Sequence, residues 1–195
     1  MVMKLFFSSI VLFMSISIFA QEKPYYYQIP DTPKVYTATT VAARLVDGLG
    51  FRFYWATEGL TEKDLQFKPS KDARTSLETI EHIKGLTDIL LNAVSKRTTK
   101  TGIPQTKLSF NELREAVLNN IRSASEILKS PDAKLEDFDM IFEGANSKTE
   151  YPFWNLVNGP ISDALWHVGQ VVTFRRSSGN PLPAGVGVLQ GIKRD

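Results

Sequence analysis

Hydrophobic residues recur along this chain at the three- and four-residue steps of a helix, in four separate stretches. In residues 37–59, Ala42, Leu45, Leu49, Phe53, Ala56 and the following Leu60 step by 3, 4, 4, 3 and 4, and Gly59 ends the run. Residues 75–96 carry Leu77, Ile80, Ile83, Leu86, Leu90 and Val94 behind Thr75-Ser-Leu-Glu78, a capping-box pattern. Residues 109–129 repeat the design, with Ser109-Phe-Asn-Glu112 ahead of Phe110, Leu113, Val117, Ile121, Ala124 and Leu128; Pro131 stops them. The fourth helix, predicted over 154–177, has two adjacent stripes. One is Ile161, Leu165, Val168 and Val172; the other is Ala164, His167, Val171 and Phe174. Pro160 either sits in its first turn or kinks a longer helix, and Ser178-Gly179-Asn180-Pro181 terminates it.

Between these helices the pattern weakens. Residues 21–36 are rich in Tyr and Pro and predict an extended arm packed on the domain through Tyr25, Tyr26 and Tyr27. A loop with Pro69 and Ser70 joins the first two helices. In 132–152, Phe138, Met140, Ile141 and Phe142 predict a short strand or an irregular crossover. The tail, 180–195, is punctuated by Gly and Pro and reads as extended. The expectation is an all-α single domain over 21–195, a four-helix bundle with a longer crossover before its last helix. Residues 1–20 stand apart. Lys4 precedes an apolar run, Leu5 to Phe19, and Ala20 meets the polar Gln21-Glu22-Lys23, as in a secretory signal peptide cleaved near Ala20. The run is shorter than the ~20 residues of a spanning helix. An exported protein, periplasmic or secreted and without stable membrane insertion after cleavage, is therefore expected.

Composition sharpens this picture in two ways. Without Lys4, the 23 basic residues become 22 against 21 acidic ones, and only Lys96-Arg97 and Arg175-Arg176 form short basic runs. Nucleic acid is an unsuitable main partner for such a surface. There are 0 cysteines, so an exported form has no disulfides, is not a lipidated lipoprotein, and must rest on its core.

The candidate chemistry lies in Asp163-Ala-Leu-Trp-His167. An i, i+4 spacing stacks Asp163 and His167 on one helix face. The chain has 2 histidines, and the other, His82, lies in the second helix. Helical bundles build metal sites from such residues on facing helices, and three protein ligands leave positions open for water or substrate. Simpler roles exist: a surface or hydrogen-bonded core histidine, and an acidic residue favoured in a first helical turn by the dipole. Gln170 and Arg175 lie about one and two turns beyond His167. They are candidates for orienting a ligand, against a packing hydrogen bond and a C-terminal helix charge. Trp166 is expected to fill the bundle. Trp55 and Glu58 mark a possible pocket mouth, with Glu58 a weak candidate for a general base. Glu81 points about 100° away from His82 on a helix.

Three stretches, in this order, resemble the DinB-like (damage-inducible) metal-binding four-helix bundles. They are Trp55-Ala-Thr-Glu58-Gly-Leu-Thr-Glu-Lys-Asp-Leu leading to Phe67-Lys-Pro69, then Leu77-Glu-Thr-Ile-Glu-His82-Ile, then Asp163-Ala-Leu-Trp-His167-Val-Gly169-Gln170 ending in Arg175. The likeness spans Thr37 to Arg176. It implies a divalent metal, zinc or nickel first, held in the family by one histidine on the second helix and an H-x-x-x-H pair on the last. His82 and His167 match the outer two positions. Asp163 stands where the middle histidine is usual, a departure that keeps a good zinc ligand and also suits iron. The resemblance implies activation of water or a small thiol, as a hydrolase or a thiol transferase, on a small-molecule substrate; a homodimer through exposed helix faces is left open. Two other readings stay open: a non-catalytic binding bundle with a degenerate site, and a metal that only clamps the helices together.

Overall fold

The computed structural model describes residues 23–104 and 106–194, so the predicted signal peptide at 1–20 lies outside the described residues. The protein is mostly helical, with two small sheets. Its long helices are α1 (Ala38–Thr57), α3 (Ser76–Val94), α4 (Phe110–Leu128) and α6 (Ser162–Ser178); α2 (Glu62–Leu65) and α5 (Phe153–Leu156) are single turns. α1 packs against α4 and α6, and α3 packs against the same two, which closes a ring around a common core.

Side chains cap these helices where the polar pattern places them. Thr75 Oγ1 accepts from the Glu78 backbone N–H, while Glu78 accepts from the Thr75 N–H at 2.7 Å. Ser109 and Glu112 repeat the exchange on α4, and Thr37 with Thr40 does so on α1. α2 was not foreseen. Thr61 and Asp64 cap it, with Asp64 Oδ2 accepting from the Thr61 N–H at 2.8 Å. At the end of α6, Gly179 takes a left-handed φ of 98°, and the Asn180 N–H donates back to Arg175 O at 2.8 Å.

The predicted fourth helix starts a residue earlier and has a break. α5 runs through a π-turn, Val157–Ile161, directly into α6. Pro160 has no N–H to give and sits inside the turn, within a longer helix rather than at the start of a short one. The Ser162 hydroxyl donates to Val157 O at 2.6 Å, alongside the Ser162 backbone N–H that closes the π-turn on the same carbonyl.

The crossover is a hairpin of β2 (Met140–Glu143) and β3 (Lys148–Tyr151), with Met140 opposite Tyr151. β1 (Thr99–Lys100), from the loop after α3, adds to β2 in parallel, Thr99 opposite Phe142. The tail is not simply extended: β4 (Val186–Gly187) folds back on β5 (Ile192–Lys193). The arm and tail meet where the Ile29 N–H donates to Gly191 O at 2.8 Å.

The core holds Ile80, Ile83 and Leu90 of α3, Val117, Ile121 and Leu128 of α4, and Leu49, Phe51 and Phe53 of α1, all essentially inaccessible. Each such side chain stabilises the fold by roughly 1.5–3 kcal/mol. Leu45, in the predicted α1 stripe, is exposed instead, and its neighbours Ala43 and Val46 point inward. The arm is held by Tyr26, a buried ring in a 3-10 turn, Tyr25–Tyr27. Its ring lies over Gly50, where a Cβ would come within 2.5 Å of it. Its hydroxyl donates to the buried Asp47 at 3.2 Å, and Lys129 forms an ion pair with the other carboxylate oxygen at 2.6 Å. Burial first, and the Asp47 charge second, push the Tyr26 phenol far above its usual value. Among the described residues no helix is long and apolar enough to cross a membrane.

Candidate metal centre

The Thr75 cap sets the phase of α3, so that Ile80 and Ile83 enter the core and His82 stands on the edge facing α6. On α6, Ala164, Val168 and Val171 face inward. Asp163 and His167 flank that stripe one turn apart, directly after the π-turn. The structure brings His82, Asp163 and His167 together: one ligand atom from each lies within 4.8 Å of the other two. These three residues can hold a metal ion.

Asp163 sits between the imidazoles. Its Oδ2 is 3.3 Å from His82 Nε2, and its Oδ1 is 3.3 Å from His167 Nε2. The rings stand nearly perpendicular, at 89°, with centroids 4.6 Å apart. Zinc holds nitrogen and oxygen ligands at roughly 2.0–2.2 Å, which puts neighbouring ligand atoms on a tetrahedron about 3.3–3.6 Å apart. The carboxylate oxygens thus already stand at a ligand-to-ligand spacing from each histidine. The His82 and Asp163 side chains are each 35% accessible and that of His167 14%, so solvent reaches the cluster.

Gln170 completes the arrangement one turn beyond His167, where its Oε1 lies 2.7 Å from His167 Nδ1. An amide oxygen can only accept, so Nδ1 carries the proton and donates it. His167 Nε2 then faces a carboxylate oxygen, a contact that either a proton on Nε2 or a metal ion between the two satisfies. The bond to Gln170 is the outer-shell support that metal-bound histidines usually have. Neutral imidazoles with one carboxylate form a singly negative donor set, suited to a divalent ion.

Arg175 is not part of this centre. It is only 2% accessible and binds elsewhere: Nη1 donates to Trp55 O at 2.8 Å and to Ala56 O, and Nε donates to Asn180 O at 2.7 Å. It ties the end of α6 to the end of α1, and burial pulls its guanidinium below the usual value without discharging it. Glu58 is committed as well, accepting from Arg114 Nη2 at 2.5 Å. Trp55 is buried and donates through Nε1 to Tyr27 O at 3.2 Å. Trp166 does not fill the bundle. It is 71% exposed, on the outer side of α6 next to His167. The sequence offered no sign of the open groove of about 830 Å³ that leads away from His82 between α3, α4 and β1. Its walls come from the loop after α3, whose polar residues carry no periodicity.

Comparison with family models, curated proteins and solved structures returned no match to this chain.

Proposed function

We propose that this chain is an exported, divalent-metal-dependent protein of the DinB-like type, in which a metal on His82, Asp163 and His167 activates water or a small thiol. The ring formed by α1, α4, α3 and α6 is then that family's four-helix bundle. The observation carrying the reading is the convergence of two imidazoles and a carboxylate, with Gln170 hydrogen-bonded to His167 Nδ1 on the side away from the cluster. Zinc or nickel fits this donor set first, and iron is admitted by the carboxylate. A divalent ion there supplies Lewis acidity, lowering the pKa of a coordinated water or thiol and polarising an acceptor oxygen. Three protein ligands leave coordination positions for a substrate. His82 and His167 would hold the ion through Nε2, with Gln170 accepting from His167 Nδ1. Export rests on the signal-like pattern at 1–20.

Cobalt(II) substitution tests the proposal. The expected result is a visible spectrum of four- or five-coordinate cobalt that shifts when azide or a small thiol is added. A spectrum indifferent to both ligands excludes activation and leaves the metal as a clamp between helices. A second reading, a non-catalytic binding bundle, is favoured by Asp163 itself, because its two oxygens can bridge the imidazoles as an ion pair. Failure to take up any divalent ion would select it.

A further inference from the structure

A groove of about 830 Å³ opens beside His82. Its floor is the outer face of α3, where His82, Gly85, Ile89 and Asn92 lie in line. Asn92 lies ten helical steps beyond His82, a run of about 15 Å. Leu108 and Phe142 overhang this floor from the loop before α4 and from β2.

The charges along it are uneven. Near the middle, Lys84 pairs with Asp88 at 2.7 Å, and Asn120 Nδ2 donates to the same Asp88 at 2.7 Å. At the rim, Lys100 pairs with Glu143 at 2.7 Å. Arg97 and Lys107 also line the groove, beyond the end of α3 and just before α4, and have no ion-pair partner among the described residues. The end far from His82 is therefore the cationic one.

Gly85 lies on the groove floor. Glycine inside a helix costs about 0.5–1 kcal/mol against alanine. A Cβ here would meet nothing within 4 Å, so no protein contact requires the glycine. One turn from His82, it leaves the backbone bare to the open space of the groove.

We propose that this groove binds an elongated amphipathic anion, its carboxylate or phosphate end on Arg97 and Lys107, its apolar body over Gly85, Ile89 and Phe142, and its other end delivered to the His82–Asp163–His167 centre. The inference rests on the proposed metal function for its purpose, but the groove is independent of the metal. It names the substrate class of that site.

Calorimetric titration with decanoate, and with decylamine as the cation of equal chain length, tests it on both metal-free and zinc-loaded protein. Decanoate is expected to bind in both forms and decylamine in neither. Gly85→Phe fills the groove and is expected to abolish decanoate binding, while Gly85→Ala, which leaves it open, retains binding. Zinc stoichiometry stays the same in both variants. The double variant Arg97→Glu, Lys107→Glu is expected to weaken decanoate by on the order of a hundredfold, about 2.7 kcal/mol. No decanoate binding, or binding indifferent to Gly85→Phe, overturns the groove. Binding lost in His167→Ala but kept in the double charge variant overturns the assigned orientation, because the carboxylate would then sit on the metal. Decanoate bound normally by a protein that takes no zinc would leave the groove standing and defeat the metal proposal alone.

Discussion

The last helix carries two polar clusters, and they differ in what surrounds them. At its C-terminal end, Arg175, Ser178 and Asn180 meet Asp64 of α2 in a buried knot. Asp64 accepts from the Thr61 N–H and hydroxyl, from Asn180 and from Ser178, and Arg175 donates to three backbone carbonyls. Each charge there has its partners supplied by the protein. At the N-terminal end, His82 and Asp163 are partly exposed beside the less accessible His167, and the Nε2 atom of each histidine faces a carboxylate oxygen. A polar cluster that satisfies itself holds a fold together. One that leaves its donor atoms converging and open to solvent asks for something from outside.

The largest expected effect falls on the knot. Arg175→Met leaves the Trp55, Ala56 and Asn180 carbonyls without their donor and should cost about 3 kcal/mol. Thermal melts should show a fall of roughly 6–12 °C for a domain of this size. Metal uptake by the folded fraction should be unchanged.

Asp64→Asn should cost about 2 kcal/mol and carries a pH signature. Burial alone would raise the Asp64 carboxyl, but the hydrogen bonds from Ser178, Asn180 and Thr61 outweigh it and hold it far below its usual value. A depressed folded value means stability that is complete above the unfolded pKa, about 3.9, and lost as pH falls below it. Melts run from neutral pH to about pH 2 should show the wild type losing its advantage over Asp64→Asn in that acid window. An advantage constant across the range would refute the assignment.

At the open cluster, stability effects are small and binding effects large. Gln170→Ala removes the acceptor from His167 Nδ1 and should weaken divalent metal binding by roughly 10–100-fold. The same change should move the melting temperature of metal-free protein by no more than a degree or two, about 0.5 kcal/mol. A drop in stability without a change in metal affinity would reassign Gln170 to packing.

Much of this contrast is visible in the chain before it folds. The Thr75–Glu78 and Ser109–Glu112 pairs announce two helix starts, and the stripes behind them enter the core as their spacing says. The Asp163–His167 stack is equally plain, since four residues along a helix is one turn. Other features depend on partners distant in sequence. Thr61 and Asp64 form the same kind of cap, but four residues of helix are too few to produce a stripe. β1 is two residues long and exists because β2, some forty positions later, offers it a parallel edge. Arg175 reads as an ordinary helix-end charge until α1 brings its last carbonyls to it. Trp166 reads as core by its size, yet its position on α6 turns it to solvent beside the cluster.

The central claim is that the open cluster binds a metal. Elemental analysis of protein purified without an affinity tag, beside His167→Ala and Asp163→His, tests it most directly. About one divalent metal per chain is expected in the wild type and none in His167→Ala, with both proteins melting alike once stripped of metal. Metal retained at the same stoichiometry in His167→Ala, or a wild type that stays empty while Asp163→His fills, would contradict it.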